Sequence, residues 1–213
     1  MTDSDYKIDC ITAGPVQTNT YLLSSGGESI IIDPGTGMEE LLQKLSIGDS
    51  RVVAIIATHG HFDHIMDGQE LKLKLGSPFI IGKGEDDILE WSYRTSERYL
   101  SRKLTRISVD RYLDDGDTVE FGMHKLNVMK VPGHTAGSLI LVIGSTMFTG
   151  DTLFRENIGR TDIGGSMEWM RRSLLRLMKL GSDYRVLPGH GEETTLSHEL
   201  THNPFLLELK AED

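Results

Sequence analysis

Cysteine is nearly absent from this sequence, since Cys10 is the only one among 213 residues. A disulfide within the chain is therefore excluded, and so is a structural zinc site built from several thiolates. The simplest interpretation of Cys10 is a small buried residue on the first strand. Such sparse cysteine is typical of proteins in a reducing environment, and we expect a cytoplasmic location.

Long hydrophobic runs and an excess of basic residues are also missing. No segment approaches the ~18 consecutive apolar residues that span a bilayer, and the acidic segment 1–5 does not resemble a signal peptide. Lys and Arg number 22 against 32 Asp and Glu, and the net charge of −10 repels phosphate backbones. We therefore expect neither a membrane nor a nucleic acid among the partners.

Short apolar runs with strand character occur in two batches, and each batch is followed by helical spacing. Strands are predicted at 6–12, 20–23, 29–32, 51–57 and 78–81, then at 118–121, 125–131, 138–143, 146–148 and 184–187. Helices are predicted from 38 to Gly48, in the stretch that follows 51–57 up to about 75, at 167–180 and at 196–202, and Pro204 limits the last of them. The segment 85–104 is predicted as one or two helices or a partly irregular flap. This order predicts an α/β fold in a single domain, 1–213, with two mixed sheets packed face to face and helices outside, a four-layer αββα sandwich.

A dense cluster of metal-binding side chains follows the apolar run 51–57. The segment from Thr58 to His64 reads Thr-His-Gly-His-Phe-Asp-His. At a strand end, residues two apart point the same way, so His59 and His61 can meet one ion. A helix starting near Phe62 would direct Asp63 and His64 toward a second ion. The alternative, a histidine-rich surface loop, is disfavoured because further candidates occupy similar positions.

Three more candidate ligands follow later apolar runs. They are His134 in Pro-Gly-His-Thr-Ala-Gly-Ser, Asp151 in Gly-Asp-Thr and His190 in Pro-Gly-His-Gly. Glycine beside each of them lets the backbone turn sharply, and loops at strand ends commonly build functional sites. Imidazole and carboxylate ligands suit Zn²⁺, Fe²⁺ or Mn²⁺.

The motif His-x-His-x-Asp-His with downstream His, Asp and His resembles the metallo-β-lactamase superfamily. Within it, the chain is similar to the glyoxalase II-like (hydroxyacylglutathione hydrolase-like) branch from about Gly14 to Phe205, through Asp33-Pro34-Gly35, Gly150-Asp151-Thr152-Leu153-Phe154, Gly159-Arg160-Thr161-Asp162 and Asn203-Pro204-Phe205. The resemblance implies an αββα sandwich with two metal ions at one edge. It assigns His59, His61 and His134 to one ion, Asp63, His64 and His190 to the other, and Asp151 to a bridge between them.

This ligand set predicts a binuclear metal-dependent hydrolase. We expect two divalent ions, Zn²⁺ first and Fe²⁺ or Mn²⁺ as alternatives, and two such ions lower the pKa of a shared water to about 7. A metal-bridging hydroxide would then attack a hydroxyacyl thioester, with Asp63 and Asp151 as the catalytic carboxylates. Asp33 is either a residue that orients a ligand from behind or a plain turn residue. Arg160 either binds a substrate carboxylate or forms a structural ion pair with Asp162, which we favour.

The expected partner is a small-molecule thioester resembling S-lactoylglutathione. Full-length glyoxalase II proteins carry a C-terminal glutathione-binding helical domain, which we expect to be absent because 23 residues follow His190. The alternatives are a persulfide dioxygenase with one Fe²⁺ on His59, His134 and Asp151, and a non-catalytic metal-binding domain. β-Lactamase activity is disfavoured, since zinc lactamases of this shape often have Cys at the position of Asp151. The His-Glu-x-x-His match from His198 to His202 is interpreted as chance.

Overall fold

The structure, a computed structural model, describes residues 6–212, and two six-stranded sheets form its centre. In the first sheet the strands lie side by side in chain order. They are β1 (Lys7–Ala13), β2 (Thr18–Ser25), β3 (Glu28–Ile32), β4 (Arg51–Ala57), β5 (Phe79–Gly82) and β6 (Arg111–Leu113). The first three pair antiparallel and the remaining pairs are parallel, so this sheet is mixed as predicted.

The second sheet is also mixed. Its strands are β7 (Thr118–Phe121), β8 (His124–Lys130), β9 (Leu139–Ile143), β10 (Thr146–Gly150), β13 (Arg185–Pro188) and β14 (Thr194–Thr195), and a separate short pair consists of β11 (Leu153–Phe154) and β12 (Asn157–Ile158). The order is β14-β13-β10-β9-β8-β7, and only β10 and β13 run parallel. The carboxyl ends of β10 and β13 consequently lie side by side at one edge.

Within residues 6–212, seven helices cover the outer faces of the sheets. They are α1 (Met38–Gly48), α2 (Phe62–Ile65), α3 (Gly68–Leu75), α4 (Asp86–Leu100), α5 (Met167–Met178), α6 (Leu196–His202) and α7 (Pro204–Glu212). Buried apolar side chains form three clusters: one between the first four helices and the first sheet, one between the sheets, and one between the second sheet and the last three helices. The predicted αββα sandwich is thus confirmed.

Strand β4 shows why its apolar run is continuous. Ile55 and Ala57 face the helical layer, whereas Ala54 and Ile56 face the other sheet. A strand buried on both faces needs apolar residues at every position, because side chains alternate across a sheet. The same burial holds the end of β4 rigidly where the histidine segment begins.

Several sequence predictions need correction. The helix expected up to residue 75 is split into α2 and α3, and the chain continues as α7 directly after the last predicted helix. Proline is well suited to the first turn of a helix, so Pro204 ends one helix and starts the next. Cys10 lies on β1 as predicted, but it is exposed because β1 is the edge strand. Between residues 6 and 212, no helix is long and apolar enough to cross a bilayer.

Candidate metal centre

Seven side chains meet at one edge of the two sheets. Four connections from different strands supply them. The segment after β4 carries His59, His61, Asp63 and His64, and the β8–β9 connection carries His134; Asp151 follows the end of β10, and His190 follows the end of β13. Because β4 belongs to the first sheet and the other strands belong to the second, the cluster sits across the junction of the sheets.

One half of this cluster consists of three histidines. His134 Nε2 lies 2.8 Å from His61 Nδ1 and 3.1 Å from His59 Nε2. All three side chains are buried. Their ligand atoms lie within 4.8 Å of one another, which is close enough to hold one metal ion.

The other half combines two histidines with a carboxylate. His190 Nε2 lies 3.1 Å from Asp63 Oδ2 and 3.2 Å from His64 Nε2. Asp151 lies between the halves: its Oδ2 is 3.6 Å from His134 Nε2 and 3.6 Å from His190 Nε2. The structure therefore brings together every residue predicted as a ligand and places Asp151 where a bridge would be needed.

Hydrogen bonds behind the cluster orient the rings. His134 Nδ1 donates to Arg160 O at 2.7 Å, and His190 Nδ1 donates to Val16 O at 3.0 Å. A protonated Nδ1 leaves the lone pair on Nε2, the atom that faces the cluster.

Asp33 orients two further rings. Its Oδ2 accepts from His64 Nδ1 at 3.0 Å and from Thr58 Oγ1 at 2.9 Å. Because the Thr58 hydroxyl donates to Asp33, it can only accept from His59 Nδ1, 3.1 Å away. Asp33 thus acts on one histidine directly and on a second through Thr58, so it is more than a turn residue in this structure.

Charge is distributed unevenly over the cluster. Burial lowers the pKa of His59, His61 and His134, that of His61 to about 3, so these rings are neutral at neutral pH. Burial alone would raise the pKa of Asp63 and lower that of His64. Their mutual attraction outweighs burial, so the pKa of Asp63 is lowered and the pKa of His64 is raised. The three-histidine half is thus already in the neutral state that binds a metal cation, whereas the raised pKa of His64 means that this ring releases a proton when a cation binds.

The residues fit a divalent cation on two further observations. Within the described residues, the buried Asp151 Oδ1 has no hydrogen-bond partner, although it lies 3.3 Å from His64 Nε2. In addition, His59 Nε2 and His134 Nε2 face each other at 3.1 Å although the proton of each ring is on Nδ1. Facing lone pairs repel unless a cation lies among them, and Zn–N bonds of about 2.1 Å place tetrahedral ligand nitrogens about 3.4 Å apart.

Comparison with known families agrees with this geometry. The sequence profile of the Metallo-beta-lactamase superfamily matches residues 13–190, which include all seven side chains of the cluster. The chain belongs to the metallo-β-lactamase superfamily. Its fold and its strand-end cluster are therefore those of a superfamily of mostly hydrolytic metalloenzymes.

Three similar proteins place the chain within this superfamily. Hydroxyacylglutathione hydrolase GloC of Haemophilus influenzae is 31% identical over 208 residues, covering 94% of this chain and 98% of that protein. The crystal structure of BLEG-1 B3 metallo-beta-lactamase is 31% identical with a TM-score of 0.84, covering 94% and 99%. The crystal structure of TTHA1623 in a di-iron-bound form is 33% identical with a TM-score of 0.83, covering 93% and 100%.

The turn that carries His190 is held by the first sheet. Tyr21 Oη donates to Pro188 O at 2.7 Å, and Asn19 Nδ2 donates to the same oxygen at 3.0 Å. Gly189 is required here, because a Cβ at this position would lie 2.4 Å from Asp151 Oδ1. Asn19 and Tyr21 thus position the cluster from behind.

A cavity of about 210 Å³ opens onto the cluster and has an apolar wall. The wall consists of Val16, Phe62, Trp91 and Ile163. Trp91 packs edge-on against His61, with ring centroids 5.5 Å apart. The segment 85–104, which was predicted as helical or partly irregular, therefore contributes a helix, α4, and Trp91 of this helix lines the cavity.

Arg160 lies at the mouth of the cavity and is paired. Its Nε donates to Asp162 Oδ1 at 2.6 Å and its Nη2 donates to Oδ2 at 2.6 Å. Both side chains are exposed. The structure thus contains the favoured ion pair and leaves substrate binding by Arg160 as a prediction.

The His-Glu-x-x-His segment has a structural explanation. Glu199 is fully buried and accepts hydrogen bonds from Thr194 Oγ1, Asn203 Nδ2 and the backbone N–H of Glu156. His198 Nε2 lies 2.9 Å from Glu156 Oε1, and Glu156 is not a member of the cluster. Glu199 therefore stabilises the start of α6 and the junction between α6 and α7.

We expect Asp33→Asn to weaken the binding of Zn²⁺ about 10- to 100-fold. Asp33 Oδ1 accepts from Thr58 N while Oδ2 accepts from His64 and Thr58 Oγ1, and an amide cannot accept on both of its ends. A competition titration with a chromogenic chelator measures this change. The matched control is Asp67→Asn, a buried aspartate that accepts from Met38 N and Arg102 without touching a histidine. Equal affinities in both variants would contradict the role of Asp33.

Proposed function

We propose that this protein is a binuclear metal-dependent hydrolase of hydroxyacyl thioesters such as S-lactoylglutathione. The observation that carries the proposal is the position of Asp151 between two groups of ligand atoms beside a cavity. His59, His61 and His134 would hold one ion, and Asp63, His64 and His190 would hold the other. The name of the similar GloC protein supports the substrate class.

The protein's own residues prepare the site for this chemistry. Bound divalent ions would supply a nucleophile from water and polarise the thioester carbonyl. Asp63 remains ionised beside His64 and His190 and would orient the nucleophile. Thr18 Oγ1 donates to Asp63 Oδ2 at 3.0 Å and holds that carboxylate in place.

The apolar wall of the cavity suits a compact acyl group. Phe62 and Trp91 exclude water from one side of the cluster, which strengthens electrostatic interactions with a bound carbonyl. Arg160 offers a cation at the mouth for a substrate carboxylate, provided that the substrate displaces Asp162. We expect Zn²⁺ in both positions, with Fe²⁺ and Mn²⁺ as alternatives; the di-iron form of TTHA1623 is compatible with iron.

Metal analysis combined with a substrate panel tests the proposal. We expect about two divalent ions per chain. We also expect the purified protein to hydrolyse S-lactoylglutathione, which is measured as release of the thiol. The panel includes glutathione persulfide with oxygen consumption, and a β-lactam, because the similar BLEG-1 protein is named as a lactamase.

Each of the other possible results of this panel points to a different function. One iron per chain with oxygen uptake would replace the proposal by a persulfide dioxygenase, and β-lactam opening would replace it by a lactamase. Bound metal without turnover of any of these substrates would favour the non-catalytic domain.

A further inference from the structure

Glu85 is a buried carboxylate that the proposed chemistry does not use. It lies between β5 and α4, and its side chain has 0% exposure. Its Oε2 accepts from Gly60 N at 2.7 Å, and its Oε1 accepts from Gly137 N at 2.7 Å and from Thr135 Oγ1 at 2.5 Å. A buried carboxylate is costly unless such donors satisfy it, so this arrangement needs a reason.

The three donors belong to the two segments that supply the three-histidine half of the cluster. Gly60 lies between His59 and His61, and Thr135 follows His134 directly. One segment comes from the first sheet and the other from the second. The backbone bond from Leu139 N to Thr58 O also joins these segments, but it involves the residue before His59 and a residue that follows the His134 loop, so it does not bind the loop residues themselves.

Two side chains hold the residue between the two histidines from both sides: Glu85, which directly precedes α4, and Ser92 within α4. Ser92 Oγ donates to Gly60 O at 2.7 Å, while Glu85 accepts from Gly60 N. The peptide group on each side of Gly60 is thus bound by a side chain. Rotation of either peptide group would change the spacing of His59 and His61, and the two bonds oppose it.

The close approach of Glu85 depends on glycine in both segments. A Cβ at Gly60 would lie 3.1 Å from Oε2, and a Cβ at Gly137 would lie 2.7 Å from Oε1. A larger residue at 137 would push the carboxylate away. Only a carboxylate accepts on both ends, whereas a glutamine would present an amino group to one set of donors.

We propose that Glu85 is a positioning residue that sets the spacing between the His59–His61 segment and His134. The kinetic part of its test rests on the proposed function, because it needs thioester turnover. Metal binding tests the inference without that activity. Ligand geometry is sensitive to such supporting groups, whose loss changes metal affinity about 10- to 100-fold.

Titration with Co²⁺ tests this role, because its visible absorption reports the coordination geometry. In Glu85→Gln we expect an altered absorption spectrum, at least 10-fold weaker binding of the first Co²⁺, and a lower kcat with KM changed less than twofold. Gly137→Ala is expected to alter the spectrum in the same direction, since it displaces the same carboxylate. Thr135→Ser, which keeps the hydroxyl donor, is expected to behave as the unmodified protein.

The matched control is Glu199→Gln, which alters a second buried glutamate whose three donors belong to Thr194, Asn203 and Glu156 and to no residue of the cluster. We expect it to lower thermal stability without changing the Co²⁺ spectrum. If Glu85→Gln and Gly137→Ala also leave spectrum and affinity unchanged, the inference is wrong while the proposed function stands. If the unmodified protein binds no Co²⁺, the proposed metal site and the inference both fail. Should Glu85→Gln not fold, Gly137→Ala and Thr135→Val decide by the same readout.

Discussion

Asp151→Ala is expected to lower kcat/KM for S-lactoylglutathione by at least about 10³-fold, which corresponds to about 4 kcal/mol of transition-state stabilisation. Asp151 lies 3.6 Å from a histidine of each half of the cluster and is ionised there because neighbouring histidines outweigh the effect of burial on its pKa. Without it, the two groups of ligands lose their shared anion. Elemental analysis should show fewer than two ions per chain.

The control for Asp151→Ala is an acidic residue remote from the cavity. Asp115→Ala removes a carboxylate that pairs with Arg176 on the surface, and we expect turnover and metal content to remain unchanged. Circular dichroism checks that both variants are folded. Thioester turnover at the level of the unmodified protein in metal-loaded Asp151→Ala would refute the catalytic assignment.

Removal of metal is expected to abolish turnover and to lower the unfolding temperature by about 8–16 °C. A ligand present at 1,000 times its Kd stabilises the folded state by about 4.1 kcal/mol, and each kcal/mol shifts the Tm of a domain of this size by about 2–4 °C. The effect is large because the cluster joins both sheets, so a bound ion links segments that are distant in sequence. Calorimetry before and after dialysis against a chelator measures it, and added Zn²⁺ should restore both properties.

A second variant locates the ion that the chelator removes. His202→Gln alters the exposed, stacked pair formed by His198 and His202. We expect the chelator to shift its Tm as much as that of the unmodified protein. A lost shift in this variant, or an unchanged Tm and activity in the unmodified protein, would contradict a metal site at the sheet edge.

Much of the candidate site was predictable because its signal is local. His59 to His64 lie within six residues, and a strand end followed by a short helix suffices to direct them toward one point. His134, Asp151 and His190 were recognisable because each follows an apolar strand beside glycine. Glu85 was not recognisable in this way: its donors lie 25 to 52 residues away, and no spacing pattern links them.

Hydrophobic periodicity by itself determined the ten longer strands, most helices and the layered fold, because a run such as β4 must be buried on both faces. It missed the short strands β6, β11, β12 and β14, which contain too few residues to show a period. Chain order by itself could not determine which strand ends meet. The parallel pairing of β10 with β13 and the packing of the two sheets decide that Asp151 approaches His134 and His190. Edge position likewise decides that Cys10 is exposed. Distances between ligands depend on contacts between remote segments, and these contacts exist only in the folded chain.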